Sequence, residues 1–463
     1  MSDTMERLSD VAARLGATLH GADAAFARVV TDTRQLQPGD LFVALKGDRF
    51  DGHDYVARAM SLGAVGALVS RRVDGGGAQI LVDDTLEGLQ RYAHSWRKDF
   101  DIPVIGITGS SGKTTTKQIV AAVMAARGPV LATEGNLNNH IGVPLTLLKL
   151  RADHATAVIE MGANHAGEIA LLASLAQPQI GIVTQAGDAH LEGFGSREGV
   201  AHAKGELFAA LGADGMAIIN ADDAYAPLWQ QLAGEAGRLT FGLSEAADVR
   251  ALDLVGVPEA APEATAFTLV TPAGGARVEL GIPGTHNVMN ALSAVAAGLA
   301  LNLGIGQIAD GLARMAPVAG RLNWKATREG ARLLDDSYNA NPTSLRAAFD
   351  LLATLPGQRW VVLGEMRELG PDAVTIHEDA GRAARALGLD RLYALGAMAG
   401  HAADGFGGTA RVFESVDDLV AALRDDLAET DAGGVTVLVK GSRGARMERV
   451  VAGLAGTSVE EAH

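Results

Sequence analysis

The sequence predicts an α/β protein of three domains: a small mixed α/β module, a central parallel-sheet domain built around a phosphate loop, and a Rossmann-like domain at the end. Three observations carry that expectation. Short strands and turns fill residues 1–98, strands and helices alternate over 99–315, and a second alternating set runs over 316–463. Regular alternation of strand and helix is the pattern of a parallel sheet joined by helical crossovers. A chain of 463 residues is long enough for two or three domains, each with its own core.

In the first module, Val29-Val30-Thr31-Asp32-Thr33-Arg34 leads to the turn Pro38-Gly39-Asp40 and the apolar run Leu41-Phe42-Val43-Ala44-Leu45. Turn chemistry between short apolar runs reads as strands. The central stretch has strand candidates at 103–108, 156–161, 179–184 and 215–219, with helical patterns at 113–127, 167–176 and 197–211. Pro-, Ala- and Gly-rich sequence over 251–280 reads as a β-hairpin insertion that interrupts the alternation. In the last part the strand candidates are 333–335, 360–363, 391–394 and 435–439, with helices between them, as in a Rossmann-like domain. The tail from about 456 reads as frayed.

Composition excludes several function classes. There are no cysteines, so disulfides and thiolate metal sites are out. The start, Met-Ser-Asp-Thr-Met-Glu-Arg, lacks the charged-then-apolar layout of a signal peptide. No apolar run approaches the ~18 residues of a membrane span, so no membrane insertion is expected and the cytoplasm is the expected location. A net charge of −16 argues against nucleic acid as a partner, since nucleic-acid binders carry a basic face.

The stretch Thr108-Gly109-Ser110-Ser111-Gly112-Lys113-Thr114-Thr115-Thr116 comes directly after the apolar Val104-Ile105-Gly106-Ile107 and opens a helical pattern with Ile119, Val120, Val123 and Met124 on one face. Strand, glycine turn and a helix opening on Lys-Thr is the setting that a phosphate loop requires. Glycines let successive N–H groups turn toward oxygen anions, and the helix N-terminus adds its partial positive charge. Lys113 is expected to reach the β- and γ-phosphates of ATP, and the Thr114 hydroxyl to ligate Mg²⁺. The strict spacing calls for glycine at 107, where this chain has Ile107.

Further polar groups sit where strands end, which is where open α/β sheets bind ligands. Glu160 closes Val158-Ile159-Glu160 and is a candidate for a Mg²⁺ that bridges phosphates, or a cap of the next helix. His190 lies in the loop after 179–184, suited to a metal or phosphate contact, or simply exposed. Lys204 sits on a predicted helix and, taken alone, reads as a solvated lysine. Asn287 and Asn290 open an Ala-rich helix, where amides suit a base edge or an ordinary cap. Asp335-Asp336-Ser337-Tyr338-Asn339-Ala340-Asn341-Pro342 crowds more polar groups at a strand exit than a turn needs, and Lys440-Gly441-Ser442-Arg443 comes after the final strand.

Together these residues resemble the muramyl peptide ligases of bacterial cell-wall synthesis, over nearly the whole chain. The resemblance rests on the phosphate loop, Glu160-Met161-Gly162, Ala189-His190-Leu191, Ala203-Lys204-Gly205-Glu206, His286-Asn287 through Leu292, Gly320-Arg321 and Asp336 to Pro342. Asn339-Ala340-Asn341-Pro342 and Lys440-Gly441-Ser442-Arg443-Gly444 are most similar to the branch that adds D-alanyl-D-alanine to a UDP-linked muramyl tripeptide, with ATP and Mg²⁺. Departures are Gln185, where the family commonly has asparagine, and Thr33 for a usual serine.

The resemblance implies both a chemistry and a set of residue roles. ATP activates the tripeptide carboxylate as an acyl phosphate, and the dipeptide amine displaces phosphate, in peptidoglycan precursor synthesis. By the same resemblance, Lys113, Glu160, His190 and Lys204 are the catalytic set, with Thr114, Glu160, His190 and a carbamylated Lys204 around metal. ATP contacts fall on Thr108, Gly109, Ser110, Ser111, Gly112, Lys113, Thr114 and Thr115, and on Asn287, Arg321 and Asp336 for adenine, phosphate and ribose. Asp32, Thr33 and Arg34 belong to the uridine-nucleotide domain, Asn138 to the substrate site, and Asn339 and Asn341 to the dipeptide. A monomer is expected. The alternatives are the sister ligase adding the third amino acid, folylpolyglutamate synthetase, and a non-catalytic nucleotide-binding regulator. The sister's usual Asp-Asn-Pro-Arg does not occur here, about 100 residues precede Thr108, and a regulator has no use for a full metal set.

Overall fold

The computed structural model describes residues 4–188, 191–255, 264–315 and 317–458. Among these residues the chain forms three sheets of five, nine and six strands, plus a short pairing of Glu6–Arg7 with Ala25–Phe26. The five-stranded sheet runs Thr18–His20, Gln79–Leu81, Gly66–Val69, Leu41–Val43, Val29–Val30, parallel except for its first pair. Helix Thr85–Arg97, capped by Asp84, closes this module and reaches across to the next. Its Trp96 indole donates to the Leu150 carbonyl at 3.2 Å and its Arg97 to the Ala176 carbonyl at 3.1 Å. One buried cluster runs from Leu8 and Tyr92 to Leu147 and Leu172, so the first module and the central one share a continuous core.

The central sheet is parallel from Val130–Ala132 through Thr156–Glu160, Val104–Thr108, Ile180–Val183, Met216–Asn220 and Gly237–Gly242 to Val249–Val255. Val104–Thr108 lies at the topological switch: the chain leaves it for one edge, returns beside it, then continues on its other side. Crevices for ligands open at such points, beyond the carboxyl ends of the strands.

The β-hairpin expected within 251–280 is present. Thr265–Thr271 pairs antiparallel with Val249–Val255 and Gly274–Leu280 pairs antiparallel with it in turn, so the hairpin extends the central sheet to its edge. The reason is visible in the side chains: Phe267, Leu269, Val278 and Leu280 are buried at alternate positions and cover the core beneath helix Thr285–Ala300. Pro272 falls in the turn between the two edge strands, where its missing N–H costs the ladder nothing.

In the last sheet, Arg332–Asp336, Val435–Lys440, Gln358–Gly364, Arg391–Leu395 and Ala410–Phe413 are parallel neighbours, with Asn323–Ala326 antiparallel at one edge. Register places Asp336 beside Lys440 at the carboxyl edge. Helices Pro342–Ala353 and Ala373–Ala386 pack on one face, the first through its own Leu345, Phe349 and Leu352; Val416–Ala428, through Leu419 and Leu423, and Glu448–Ala455 pack on the other.

Candidate active site

The carboxyl edges of the central and last sheets face one another across a single cavity of about 750 Å³. From the central sheet its walls take Ser110 to Thr115, Asn138, Glu160, Thr184, Asn220 and Asp222, and from the last sheet Arg321, Asp336, Tyr338, Asn339, Asn341, Lys440 and Arg443.

The phosphate loop is held from beneath by residues just after Ile180–Val183. The Thr184 hydroxyl donates to the Ser111 carbonyl at 2.6 Å, and Ser110 N–H donates to the Gln185 carbonyl at 3.0 Å. Thr108 is buried and its hydroxyl donates to the Met161 carbonyl at 2.8 Å, so it ties the loop to the neighbouring strand rather than lining the cavity. Gly109 has φ +142°, and a Cβ there would lie 1.9 Å from Thr184 Oγ1. Gly109→Ala should therefore destabilise the fold by roughly 2–5 kcal/mol, the sum of a strained backbone and a forced displacement of Thr184. The denaturant midpoint measures it; a midpoint equal to the parent's would contradict this account of the loop.

Lys113 is half-buried at the start of helix Lys113–Met124, and its ammonium donates to the Gly109 carbonyl at 2.7 Å. Burial lowers its pKa from the usual lysine value, against the pull of Glu160. Glu160 is 2% exposed at the end of its strand. Its Oε1 accepts from the Asn138 amide at 2.8 Å, while Oε2 is buried with no hydrogen-bond partner among the described residues. Lys117 stands 3.9 Å from that oxygen and donates instead to the Thr133 carbonyl at 2.5 Å. A buried carboxylate oxygen with an unused lone pair suits a hard divalent cation. Among the described residues no three His, Cys, Asp or Glu side chains cluster.

Arg321 crosses from the last domain. Its Nη2 donates to Thr114 Oγ1 at 3.0 Å, its guanidinium lies 4.4 Å from the Tyr338 ring, and its Nε is buried without a partner. Asp336 pairs with Lys440 at 2.5 Å, and burial holds its carboxyl above the usual range despite that partner. At the far wall Asn287 donates to the Pro283 carbonyl at 2.6 Å and accepts from Asn290, whose own oxygen accepts from Thr116. Leu243, Ile282, Met289 and Met315 line the same wall, giving apolar surface beside amides, as a nucleobase requires. Burial, then Lys440, push the His286 pKa down to about 4, so the imidazole there is neutral at pH 7.

Lys204 is not a solvated lysine. Helix Arg197–Ala209 buries it to 1% exposure, where Nζ donates to the Ala163 carbonyl at 3.1 Å and lies 4.9 Å from the Phe194 ring centre. Burial and the nearby charge of Lys113 push its pKa down to about 7. His190 lies outside the described residues.

Asn339 lines the cavity, its Oδ1 accepting from Ala340 N–H at 2.9 Å. Asn341 does two structural tasks: Oδ1 caps helix Pro342–Ala353 through Ser344 N–H at 2.8 Å, and Nδ2 donates to the Ser110 carbonyl at 3.3 Å. Asp32 and Arg34 pair with each other at 2.6 Å after strand Val29–Val30, and with Thr33 they are absent from the cavity wall. Nearby, His53 Nε2 accepts the Ser70 N–H at 2.9 Å, which puts the ring proton on Nδ1 facing Asp51 at 2.6 Å.

Sequence reading missed Lys117, Asp222 and Thr343 at this site. Lys117 lies four residues after Lys113 on the same helix, a spacing that was available; Asp222 comes just after the strand Met216–Asn220, again at a carboxyl edge. Thr343 gave no signal, because its contact is made only when two domains meet.

Comparison with known proteins agrees with this geometry. The chain matches the Mur ligase middle domain over residues 107–298, the Mur ligase glutamate ligase domain over 320–443, and the Mur ligase family catalytic domain over 25–76. It is 43% identical to the UDP-N-acetylmuramoyl-tripeptide--D-alanyl-D-alanine ligase of Escherichia coli (strain K12), covering 98% of each chain. Its structure superposes on MurF from Acinetobacter baumannii with TM-score 0.91 and 35% identity, covering 97% of this chain and 98% of that one. MurF from Thermotoga maritima, solved in complex with ADP, gives TM-score 0.83 at 29% identity, over 94% and 98% of the two chains.

Proposed function

The chain belongs to the Mur ligase family, and from that premise we propose which of its residues carry the reaction. It is an ATP-dependent ligase that joins D-alanyl-D-alanine to UDP-N-acetylmuramoyl-tripeptide in peptidoglycan precursor synthesis. The observation that carries the assignment of roles is the shared cavity: the phosphate loop of one sheet faces Arg321, Asp336 and Lys440 of the other.

A free carboxylate is a poor electrophile, so the tripeptide carboxylate takes the γ-phosphoryl group of ATP and the dipeptide amine then displaces phosphate. Such transfer depends on positioning and neutralised charge. Lys113, with the loop from Gly109 to Thr115, holds the β- and γ-phosphates. Arg321 turns its unpartnered N–H to a phosphate oxygen, Asn287 meets adenine and Asp336 meets ribose. Glu160, Thr114, His190 and Lys204 would hold Mg²⁺, with the open Glu160 oxygen as the best-supported ligand. When bound, the cation supplies charge neutralisation on the transferring phosphoryl group.

Residues 1–98 bind the uridine nucleotide through Asp32, Thr33 and Arg34, 99–315 bind ATP, and 316–463 close the site. Asn138, beside Glu160, faces the muramyl substrate. Asn339 faces the dipeptide, and Asn341 acts on it through the helix it caps. The protein acts as a monomer in this reading, and no described helix is long and apolar enough to cross a membrane. A cytoplasmic location fits the use of ATP and a UDP-linked substrate.

The test is substrate omission. Phosphate release should need ATP, Mg²⁺, UDP-muramyl tripeptide and D-alanyl-D-alanine together. D-Alanine alone should be worse by about 10²-fold or more, since groups that bind the dipeptide's amide and carboxylate are then left unpaired. Faster turnover with meso-diaminopimelate or lysine on the UDP-muramyl dipeptide would transfer the assignment to the sister enzyme.

A further inference from the structure

Besides Arg321, the last domain meets the central one at the phosphate loop and the segment beneath it through Asn341 and Thr343. Asn341 donates to the Ser110 carbonyl, Pro342 opens the helix, and Thr343 Oγ1 accepts the Asp188 N–H at 3.3 Å. The residue beneath Thr343 is Gly187. A Cβ on it would stand 2.5 Å from Thr343 Oγ1 and 3.2 Å from both Thr343 Cβ and Cγ2. Gly187 does not occupy the left-handed region, so its backbone does not require glycine. Only the approach of Thr343 does.

Gly187 also grips the phosphate loop. Its N–H donates to Ser110 Oγ at 2.9 Å, and Ser110 Oγ donates to its carbonyl at 3.1 Å. Ser110 is thus held on its side chain by Gly187 and on its carbonyl by Asn341, and Thr343 sits against the residue that holds it.

We propose that Thr343 is a positioning residue for the ligase reaction: it seats the last domain on the phosphate loop through a contact that glycine at 187 alone admits. Seated, it brings Arg321 to Thr114 and Asp336 and Lys440 to the same cavity as Lys113. Thr343 itself touches no phosphate. It acts through Gly187 and Ser110, and by fixing where Arg321 arrives. The proposal rests on the ligase reading for its kinetic readout and on geometry alone for its structural one.

A steric swap tests it. Gly187→Ala should lower kcat/KM for ATP between about fivefold and 10²-fold, the cost range of an overfilled contact. Thr343→Ala removes Oγ1 and Cγ2, the two atoms that crowd position 187 together with Thr343 Cβ, and should cost less than tenfold alone. The double variant Gly187→Ala/Thr343→Ala should return to the Thr343→Ala level, which is the non-additivity expected of residues in contact. Solution scattering with ADP and Mg²⁺ should show a larger radius of gyration for Gly187→Ala than for the parent and the double variant. The thermal midpoint of Gly187→Ala should stay near the parent's, because the strain is relieved by parting the domains.

Parent-like kinetics and scattering for Gly187→Ala would overturn the proposal, as would a double variant no better than Gly187→Ala. If the parent fails to turn over the dipeptide substrate, the ligase reading has failed; scattering with ADP then still decides the seating.

Discussion

Lys113→Ala should lower turnover on the order of 10³-fold or more, with little change in stability. The two effects separate because the lysine does different things in the two states. In the free protein its ammonium makes one hydrogen bond, to the Gly109 carbonyl at 2.7 Å, and burial disfavours its charge. Losing a bond of that kind costs about 1 kcal/mol, offset by the relief of desolvation. During transfer, negative charge shifts toward the β–γ bridging oxygen and the phosphoryl oxygens, where a fixed cation is worth about 4 kcal/mol, the equivalent of 10³-fold. Arg321 does not replace it, since it approaches from the opposite wall with Nη2 on Thr114 and its face on Tyr338, which leaves its Nε for a different phosphate oxygen. Stopped assays of phosphate release with a parallel denaturant titration check both halves. Retention of more than a tenth of parental turnover would remove Lys113 from the role given to it here.

The parts of the site that a short stretch of chain builds by itself were legible in the sequence. The phosphate loop needs one strand, one glycine turn and one helix, all within residues 104–124, and the composition of that stretch states its purpose. Glu160, Asp336 and Lys440 were legible as polar groups at the ends of apolar strands. Lys204 was not, from its own surroundings: a lysine on a helix is read as solvated, and its burial depends on Phe194, Ala163 and the packing of helix Arg197–Ala209 against the sheet. Two edge strands of the last sheet were missed for a related reason. Ala410–Phe413 buries none of its residues fully and Asn323–Ala326 is only half-covered, so neither shows the apolar run that marks an interior strand. Asn341 reads from sequence as a substrate contact; the fold adds to that a helix cap and a tie to Ser110, which sequence alone did not show. What sequence could not supply was the relation between domains, and that is where Arg321–Thr114 and Thr343–Gly187 lie.

Lys204→Met should lose about 10²-fold or more of activity while the protein stays folded, because the position is expected to serve as a carboxylate once carbamylated. The chemistry requires a neutral amine: the Nζ lone pair attacks carbon dioxide, an N–C bond forms as one C=O π bond opens onto oxygen, one proton leaves, and the neutral amine becomes an anion (two protons leave when counted from the ammonium). Here the amine is prepared for that. It is buried beside Phe194, and burial with the repulsion of Lys113 brings its pKa to about 7, so near neutral pH a large share is unprotonated. An ordinary exposed lysine, with a pKa about 10.4, would present about one neutral amine in 10³. The opposing account is structural: Nζ donates to the Ala163 carbonyl, and removing that donor from a buried carbonyl costs roughly 1–3 kcal/mol of stability. Three measurements divide the two. Intact-protein mass under neutral conditions should show one added carbon dioxide that acid removes. Parental activity should fall in carbon dioxide-free buffer and return with bicarbonate. Formate or acetate should partly restore a Lys204→Ala variant, whose shortened side chain leaves room for a carboxylate, whereas a lost structural hydrogen bond would respond to none of these. Full activity of Lys204→Met would return the residue to a packing role and leave Glu160, with its open carboxylate oxygen, as the protein's principal cation ligand.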